Sequence, residues 1–193
     1  NHIPFQLDPE DKDNNFTTTD TSNTTINNYF ETAHYLDQSI KEFFDYLKKS
    51  GLDKNTMVIL YGDHYGVGSS DDELSALAPV LGKDFNNWTS YDTAELQKVP
   101  FMIHMDGIKG KVDNKISGEI DVLPTLLHLL GILNKNYIQF GQDLFSKQYR
   151  QVVVFRNGTI ITPKYVLIGG KGTKGTVYNQ QTGEKITKFN KKQ

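Results

Sequence analysis

The sequence predicts an α/β fold in which helices flank a central sheet, followed by a small antiparallel sheet at the C-terminal end. The first observation is that segments of helical period alternate with continuous apolar runs up to about residue 148. The second is that the later residues form short alternating runs separated by glycine-containing turn signals. We therefore predict two parts: residues 1–148, a portion of an α/β domain, and residues 149–193, a small antiparallel β subdomain.

A polar segment and a long helix come first. Residues Leu7 to Asn23 are rich in Asp, Asn, Thr and Ser, and they predict a surface loop. From Ile26 to Leu47 apolar residues recur at steps of three and four, which predicts an amphipathic helix. We expect Thr24 or Thr25 to cap this helix and Gly51 to close it.

Strands and shorter helices follow. Two apolar runs, Thr56 to Tyr61 and Val99 to Met105, predict strands that are buried on both faces, as in a parallel sheet. Between them we predict a short helix over Asp71 to Leu81 and a polar loop over Phe85 to Gln97. A further helix spans Asp121 to Leu130, with a proline in its first turn, where proline costs little.

Four runs predict the C-terminal sheet, because hairpin signals separate them. They are Val152 to Phe155, Thr159 to Thr162, Tyr165 to Ile168 and Thr176 to Tyr178.

Composition excludes several classes of protein. A net charge of −2 over 193 residues gives no general attraction for nucleic acid. The absence of cysteine excludes disulfides and Cys-ligated zinc. No apolar run reaches the roughly 18 residues that span a bilayer, and no secretory signal pattern is present. Because the sequence begins at Asn1 rather than Met, we expect it to be a fragment.

The tail of the chain is locally basic. Its lysines favour a solvated surface, with contact to an anionic membrane or polymer as the alternative. They are Lys174, Lys185, Lys188, Lys191 and Lys192.

The turn after the first apolar run carries the most informative chemistry. In Gly62-Asp63-His64-Tyr65-Gly66, a carboxylate and an imidazole stand side by side at the end of a predicted strand. We expect the two glycines to let the backbone turn sharply, so that both side chains can face one ion. An Asp oxygen with a His nitrogen suits manganese or zinc better than calcium or magnesium. Two ligands are too few for a site, so the remaining ligands must come from elsewhere.

The other polar candidates have structural interpretations that we favour over functional ones. We expect His34 to be a surface residue and His128 a packed helix residue. His104 ends the second predicted strand, where functional groups often lie, but we favour a structural role. Asp121 is better interpreted as a carboxylate at a helix start than as a ligand. Arg156 could bind a phosphate, but a bond to a neighbouring carboxylate is favoured.

Five motifs, taken in order, resemble the C-terminal part of the extracellular domain of the lipoteichoic acid synthases, polyglycerol-phosphate synthases of the sulfatase and alkaline-phosphatase superfamily. The resemblance covers essentially the whole chain, and it implies that residues 1–148 are part of a sulfatase-like central sheet in a catalytic domain. The motifs are Asn1 to Phe5, Tyr61 to Gly66, Gly118 to Gly131, Gly141 to Ser146 and Phe155 to Gly158.

The resemblance implies a metal site and a substrate contact. In that family a manganese ion is held by a Glu, a nucleophilic Thr and an Asp-His pair. Asp63 and His64 fall on the pair, which makes them the expected ligands of manganese, with magnesium or zinc possible. His2 falls on a histidine that contacts the phosphoglycerol group. The Glu and the Thr precede the matched region in the family, so we expect no catalytic residue within this chain.

The resulting expectation is a fragment of a phosphoglycerol transferase that polymerises glycerol phosphate from phosphatidylglycerol into lipoteichoic acid. We expect it at the extracellular face of a bacterial membrane, or released to the cell wall after cleavage, with anchoring through a region outside this chain. We expect the chain alone to be inactive, and we expect the N-terminal half of the same domain to supply the other ligands and to cover the open sheet edges. The alternatives are a sulfatase or phosphodiesterase of the same superfamily, and a non-enzymatic module that binds a polyanion.

Overall fold

The computed structural model describes residues 2–18, 21–134, 136–169 and 175–187. Four of the five tail lysines, all except Lys185, lie outside this part of the chain. Two compact units are present, Asn1–Gly110 and Lys111–Gln193. The predicted fold class is confirmed, with mixed helices and sheets and a small antiparallel sheet near the C-terminus. The predicted boundary at residue 148 stays a prediction.

The first unit contains three α-helices and two strands among its described residues. Three short 3₁₀ turns lie at Pro9–Asp11, Leu52–Asn55 and Phe85–Asn87. The helices are α1 (Thr24–Ser50), α2 (Asp71–Val80) and α3 (Ser90–Glu95), and the strands are β1 (Val58–Tyr61) and β2 (Phe101–His104).

Helix α1 is confirmed, and its ends show why it has this length. The Asn23 side chain accepts a hydrogen bond from the Ile26 N–H at 3.1 Å, so Asn23 is the cap. The prediction of Thr24 or Thr25 as the cap is wrong, because Asn satisfies the free N–H groups of the first turn equally well. Gly51 ends the helix with φ of +73°, a conformation that glycine adopts without strain.

Strands β1 and β2 pair antiparallel, so the prediction of a parallel sheet is wrong. Val58 lies opposite His104, and Tyr61 lies opposite Phe101. A continuous apolar run favours a shielded strand but does not determine the direction of its neighbour. The burial also differs from the prediction, because Val58 is buried while Tyr61 is exposed.

The helix α3 replaces part of the polar loop predicted over residues 85–97, and that prediction is wrong. Thr89 and Asp92 form a capping box: the Asp92 carboxylate accepts from the Thr89 N–H and hydroxyl, both at 2.8 Å. Helix α2 has a similar box between Ser70 and Glu73.

The core of the first unit lies between α1 and α2. Ile26, Ala76 and Leu77 are buried there, and Phe30 and Leu96 pack against them. Burial of these side chains fixes α1, which in turn holds the segment before it.

Among its described residues, the second unit has one α-helix and a five-stranded antiparallel meander. A 3₁₀ turn at Glu119–Asp121 leads into α4 (Val122–Leu129), close to the predicted bounds. The sheet order follows the chain, so the predicted hairpins are confirmed, and the last strand was not predicted. The strands are β3 (Val153–Val154), β4 (Ile160–Ile161), β5 (Tyr165–Ile168), β6 (Thr176–Asn179) and β7 (Lys185–Ile186).

Candidate metal site

Asp63 and His64 lie directly after β1 and face the same space. His64 Nε2 is 3.8 Å from Asp63 Oδ1. Two atoms bound to one ion at ~2.1 Å in tetrahedral geometry lie about 3.4 Å apart, so a shift of a few tenths of an ångström would let both bind it. The side chains are 83% exposed for Asp63 and 55% exposed for His64, and both are open to an ion from solvent.

The hydrogen bond of the His64 ring fits metal binding. His64 Nδ1 lies 2.8 Å from the Tyr65 carbonyl oxygen, which can only accept, so Nδ1 carries the proton. In the neutral tautomer with this proton, the lone pair lies on Nε2, which is the nitrogen 3.8 Å from Asp63 Oδ1. Metal-binding histidines usually fix their tautomer through such a bond, which orients the ring.

The two flanking glycines allow close packing at the turn. Neither Gly62 nor Gly66 has a positive φ, so the backbone conformation alone does not require glycine at these positions. A Cβ on Gly62 would lie 2.8 Å from Val99 Cβ, and a Cβ on Gly66 would collide with the Tyr29 ring. The Gly62 N–H donates to the Pro100 carbonyl at 3.0 Å, which ties the turn to the residue before β2.

His2 lies beside this pair. The His2 and His64 rings are 5.9 Å apart between centroids and inclined by 28°. The structure therefore brings together all three residues that we expected to act at the site. Residues 2–5 form a turn, in which the Phe5 N–H donates to the His2 carbonyl at 2.7 Å.

Helix α1 holds the His2 segment in place. Asn28 donates to the Pro4 carbonyl at 2.9 Å, and Thr32 donates to the Phe5 carbonyl at 2.8 Å. Phe5 is buried and packs edge-on against Tyr29, with 5.3 Å between ring centroids. Because Tyr29 contacts both Phe5 and Gly66, this one ring lies between the His2 segment and the Asp63–His64 turn.

Sequence reasoning missed the roles of Asn28, Tyr29 and Thr32. The sequence did contain a signal for these roles. Asn28 and Thr32 are polar residues four positions apart near the start of an amphipathic helix, and the aromatic Tyr29 lies between them. Such a pair lies on one face of the helix and can bind a neighbouring chain segment.

The remaining histidines have other partners. His34 bonds Asp13 at 3.0 Å and stacks on Phe16 at 4.0 Å between centroids, so it is only partly exposed. The hydrogen bond from His34, with one from the Asn15 N–H, lowers the pKa of Asp13. His104 is exposed and meets Phe44 edge-on at 5.0 Å.

His128 is not packed, so that prediction is wrong. Its side chain is exposed, and Nδ1 lies 2.7 Å from Asp143 Oδ2. His128 lies among the apolar residues of α4, but its position on the helix faces solvent. Arg156 is exposed and forms no ion pair with the rest of the described chain, so the expected carboxylate partner is not found.

Asp121 is a structural carboxylate, as its position at a helix start predicted. It accepts hydrogen bonds from the Gly118 N–H at 3.1 Å, the Gln142 N–H at 2.7 Å and the Tyr149 hydroxyl at 2.9 Å. With every bond made inside the protein, it is not available to an ion.

Within residues 2–18, 21–134, 136–169 and 175–187, no cluster of three or more His, Asp or Glu side chains could hold a metal. Asp63 and His64 thus provide two ligands, and their assignment to a metal stays a prediction, as does the role of His2. In the same part of the chain, no helix has both the length and the apolar character needed to cross a bilayer.

Comparison with known proteins identifies the family. The model of the Sulfatase family matches residues 1–132, so the chain belongs to the sulfatase family. It is 47% identical to lipoteichoic acid synthase 2 and 44% identical to lipoteichoic acid synthase 1 of Bacillus subtilis, each over 96% of the chain. It is 41% identical to lipoteichoic acid synthase of Staphylococcus aureus over 97% of the chain. The chain spans 27% of the length of these relatives.

Solved structures agree on the fold. A protein of the alkaline phosphatase superfamily from Vibrio parahaemolyticus aligns with 96% of this chain and 41% of its own, with a TM-score of 0.61 and 20% identity. A Bacteroides thetaiotaomicron protein, solved in work on the metabolism of glycosaminoglycans, aligns with 92% of this chain and 38% of its own, with a TM-score of 0.52 and 19% identity.

Proposed function

We propose that this chain carries part of the active site of a metal-dependent phosphoglycerol transferase that makes lipoteichoic acid from phosphatidylglycerol. The observation that supports it best is the convergence of Asp63, His64 and His2 after β1. The identity of 41% to 47% to lipoteichoic acid synthases supports the substrate class.

Asp63 and His64 would hold the metal, which we propose to be manganese, with magnesium or zinc as alternatives. The bound ion would polarise a phosphoryl oxygen and lower the pKa of a bound hydroxyl. Because two side chains fill only part of a coordination shell, we propose that the other ligands and a threonine nucleophile lie in the sequence that the relatives have beyond the matched region.

His2 would contact the phosphoglycerol group. If the ring is protonated, it donates a hydrogen bond to a non-bridging or leaving oxygen; if it is neutral, it accepts the proton of the incoming glycerol hydroxyl. The contacts of Asn28 and Thr32 would keep the ring at its place during this step. We propose an extracellular location at the bacterial membrane, where phosphatidylglycerol is available.

The test is release of glycerol phosphate from phosphatidylglycerol, with manganese present, by a longer protein that contains this sequence. We expect Asp63→Asn and His64→Gln each to lower turnover by at least about a hundredfold. His34→Gln is the matched control, because His34 is a histidine bonded to an Asp away from the site, and its activity should stay within about twofold. Turnover by the 193-residue chain alone, or unchanged turnover in Asp63→Asn, would contradict the proposal.

A second candidate is a sulfatase or phosphodiesterase with another substrate, which the match to the Sulfatase family model favours. A panel of sulfate esters and phosphodiesters, assayed with the same longer protein, separates the two. Faster turnover of any of these than of phosphatidylglycerol would favour the second candidate.

A further inference from the structure

Phe5 adopts a backbone conformation that its side chain disfavours. Its φ is +56°, in the left-handed region, and among the described residues it is the only one other than glycine with a positive φ. A bulky residue in this region is an outlier that persists only where the surrounding structure holds it. Such outliers cluster at functional sites, and Phe5 lies three residues after His2.

Helix α1 supplies the contacts that hold Phe5. The Thr32 hydroxyl donates to the Phe5 carbonyl at 2.8 Å. The Phe5 ring is buried and packs edge-on against the Tyr29 ring, with 5.3 Å between centroids. Because the Phe5 N–H donates to the His2 carbonyl at 2.7 Å, the conformation that α1 imposes on Phe5 also determines where His2 lies.

The Tyr29 ring also lies against the turn that carries the candidate ligands. A Cβ on Gly66 would lie 2.6 Å from Tyr29 Cε2, so the ring approaches the Gly66 backbone at a distance that only glycine permits. Tyr29 thus contacts both the residue that fixes His2 and the turn that contains His64. The 5.9 Å between the His2 and His64 rings therefore depends on this one side chain.

The turn has anchors that do not involve Tyr29. The Gly62 N–H donates to the Pro100 carbonyl at 3.0 Å, and Val67 packs against the core between α1 and α2. The His2 segment is instead joined to α1. Loss of the Tyr29 ring should therefore displace His2 more than it displaces the turn.

We propose that Tyr29 is a positioning residue for the proposed reaction, and that its ring, packed between Phe5 and Gly66, keeps the His2 ring beside the two candidate metal ligands. Tyr29 acts through His2 rather than on the substrate. The inference rests on the proposed function, because it assigns Tyr29 to the geometry of that site. It adds a separate expectation, which is that removal of the ring lowers turnover without lowering the affinity for metal.

The first test measures kcat, KM and the Kd for manganese in the longer protein that contains this sequence. We expect Tyr29→Leu to lower kcat at least about tenfold, because a histidine displaced by about 1 Å loses its alignment with the phosphoryl group. The Kd for manganese should stay within about threefold of the original value. Tyr29→Phe keeps the ring, so its kcat should also stay within about threefold.

Phe44→Leu is the matched control for the kinetic test. Phe44 is another partly buried aromatic residue of α1 that contacts a histidine, His104. This contact lies at the end of the β1–β2 pair opposite to the candidate ligands, because His104 pairs with Val58. The kcat of Phe44→Leu should stay within about twofold of the original value.

Hydrogen exchange of the Phe5 N–H tests the same inference without activity or metal. This N–H forms the bond within the turn of residues 2–5, so it exchanges when that turn opens locally. In the longer protein, we expect Tyr29→Leu to speed its exchange at least about tenfold. Phe44→Leu should leave the exchange rate unchanged.

Two glycine variants keep the inference testable if Tyr29→Leu folds poorly. Gly66→Ala places a Cβ against the Tyr29 ring, whereas Gly62→Ala, in the same turn, places one against Val99. If Tyr29 connects the turn to Phe5, the Phe5 N–H should exchange at least about threefold faster in Gly66→Ala. Its exchange should stay unchanged in Gly62→Ala.

Three outcomes would overturn the inference. They are equal Phe5 exchange in Tyr29→Leu and Phe44→Leu, equal Phe5 exchange in the two glycine variants, and a parallel loss of kcat and manganese affinity in Tyr29→Leu. The third would show that Tyr29 only supports the turn. Failure of the proposed function gives a different result: the unsubstituted longer protein would not turn over phosphatidylglycerol, while Tyr29→Leu would still speed Phe5 exchange.

Discussion

Each unit buries a carboxylate beside a short helix, but the two units stabilise that carboxylate differently. In the first unit, Asp92 is 9% exposed and forms an ion pair with Lys83 in addition to its bonds from Thr89. In the second unit, Asp121 is 3% exposed and accepts only from uncharged donors among the described residues. A buried charge can thus be stabilised by a cation or by several aligned dipoles.

The difference extends to the surfaces of the two units. Residues 1–110 contain 8 Lys and 18 Asp and Glu, a formal net charge of −10, while residues 111–193 have +8. In the first unit, lysines such as Lys12, Lys41 and Lys98 pair with carboxylates. In the second unit, most of the described Lys and Arg side chains form no ion pair with a carboxylate of the described chain. The overall charge of −2 conceals this contrast.

Removing each of the two buried carboxylates should give the largest change in the free energy of unfolding. These variants test whether uncharged donors and a lysine stabilise a buried carboxylate differently. We expect Asp121→Ala to lower the free energy of unfolding of the second unit by about 3 kcal/mol or more, because two N–H groups and a hydroxyl lose their acceptor. Asp92→Ala should lower the free energy of unfolding of the first unit by about 2 kcal/mol. The loss is smaller because the Lys83 side chain is partly exposed and can be solvated once its partner is removed. Hydrogen exchange read separately for each unit measures both.

The exposed Glu119 is the control for Asp121, because it lies two residues earlier in the same turn. Glu119→Ala should stay within about 0.5 kcal/mol of the original chain. An effect of Asp121→Ala no larger than that of Asp92→Ala would show that uncharged donors and a lysine stabilise the two carboxylates equally.

A smaller effect is expected at the turn that carries the candidate ligands. Gly62→Ala should destabilise the first unit by about 1–3 kcal/mol, because the new Cβ meets the branched Val99 side chain. Gly110→Ala is the matched control: its Cβ would meet nothing within 4 Å, and its φ is not positive, so stability should be unchanged or slightly higher. Denaturant unfolding followed by hydrogen exchange distinguishes them, and equal effects would mean that the turn can move away from Val99.

The pH dependence should also differ between the units. Burial raises the pKa of Asp92, but hydrogen bonds from Lys83 and Thr89 outweigh it and lower the pKa below its usual range. The stabilisation is therefore full above the unfolded pKa of about 3.9 and is lost as the pH falls through the lower folded pKa. Acid should open the first unit around α3, and Asp92→Asn should remove much of that dependence. Unchanged acid sensitivity in Asp92→Asn would assign it to other carboxylates.

In the second unit, burial and the bond to Asp121 raise the pKa of Tyr149 above its usual range. That stabilisation is present below the unfolded pKa of about 10 and is lost as the pH rises beyond it. Tyr149→Phe should therefore flatten the alkaline loss of stability in the second unit. Burial also raises the pKa of Tyr91 in the first unit, so a Tyr149→Phe variant should leave the alkaline response of that unit unchanged. A flattened response in both units would contradict this assignment.

Patterns within short stretches of the sequence predicted most of the helices and the C-terminal hairpins. Helix α1, helix α2, helix α4 and the C-terminal hairpins follow from apolar period, caps and glycine turns. Helix α3 was missed because it is short and polar, although Thr89 and Asp92 have the spacing of a capping box. The antiparallel direction of β1 and β2 depends on residues about forty positions apart, which a pattern within one strand does not contain.

The same limit applies to the site. Asp63 and His64 are neighbours in the chain, so their pairing could be predicted from the sequence. The position of His2 depends on contacts with residues more than twenty positions away, from Asn28 and Thr32 to the Tyr29 ring. From the residues alone, a histidine so near a terminus is usually mobile, and only the resemblance pointed to it.

The central claim is that Asp63 and His64 bind one divalent ion and that His2 lies beside it, and the five histidines allow this claim to be measured directly. Manganese is paramagnetic, so its titration into the chain broadens the ring proton signals of nearby histidines in NMR spectra. We predict that His64 and His2 broaden at lower manganese concentration than His34 and His104, the other two histidines of the first unit, and that this selectivity is lost in Asp63→Asn. Broadening of all five rings alike, or of His34 before His64, would contradict the account.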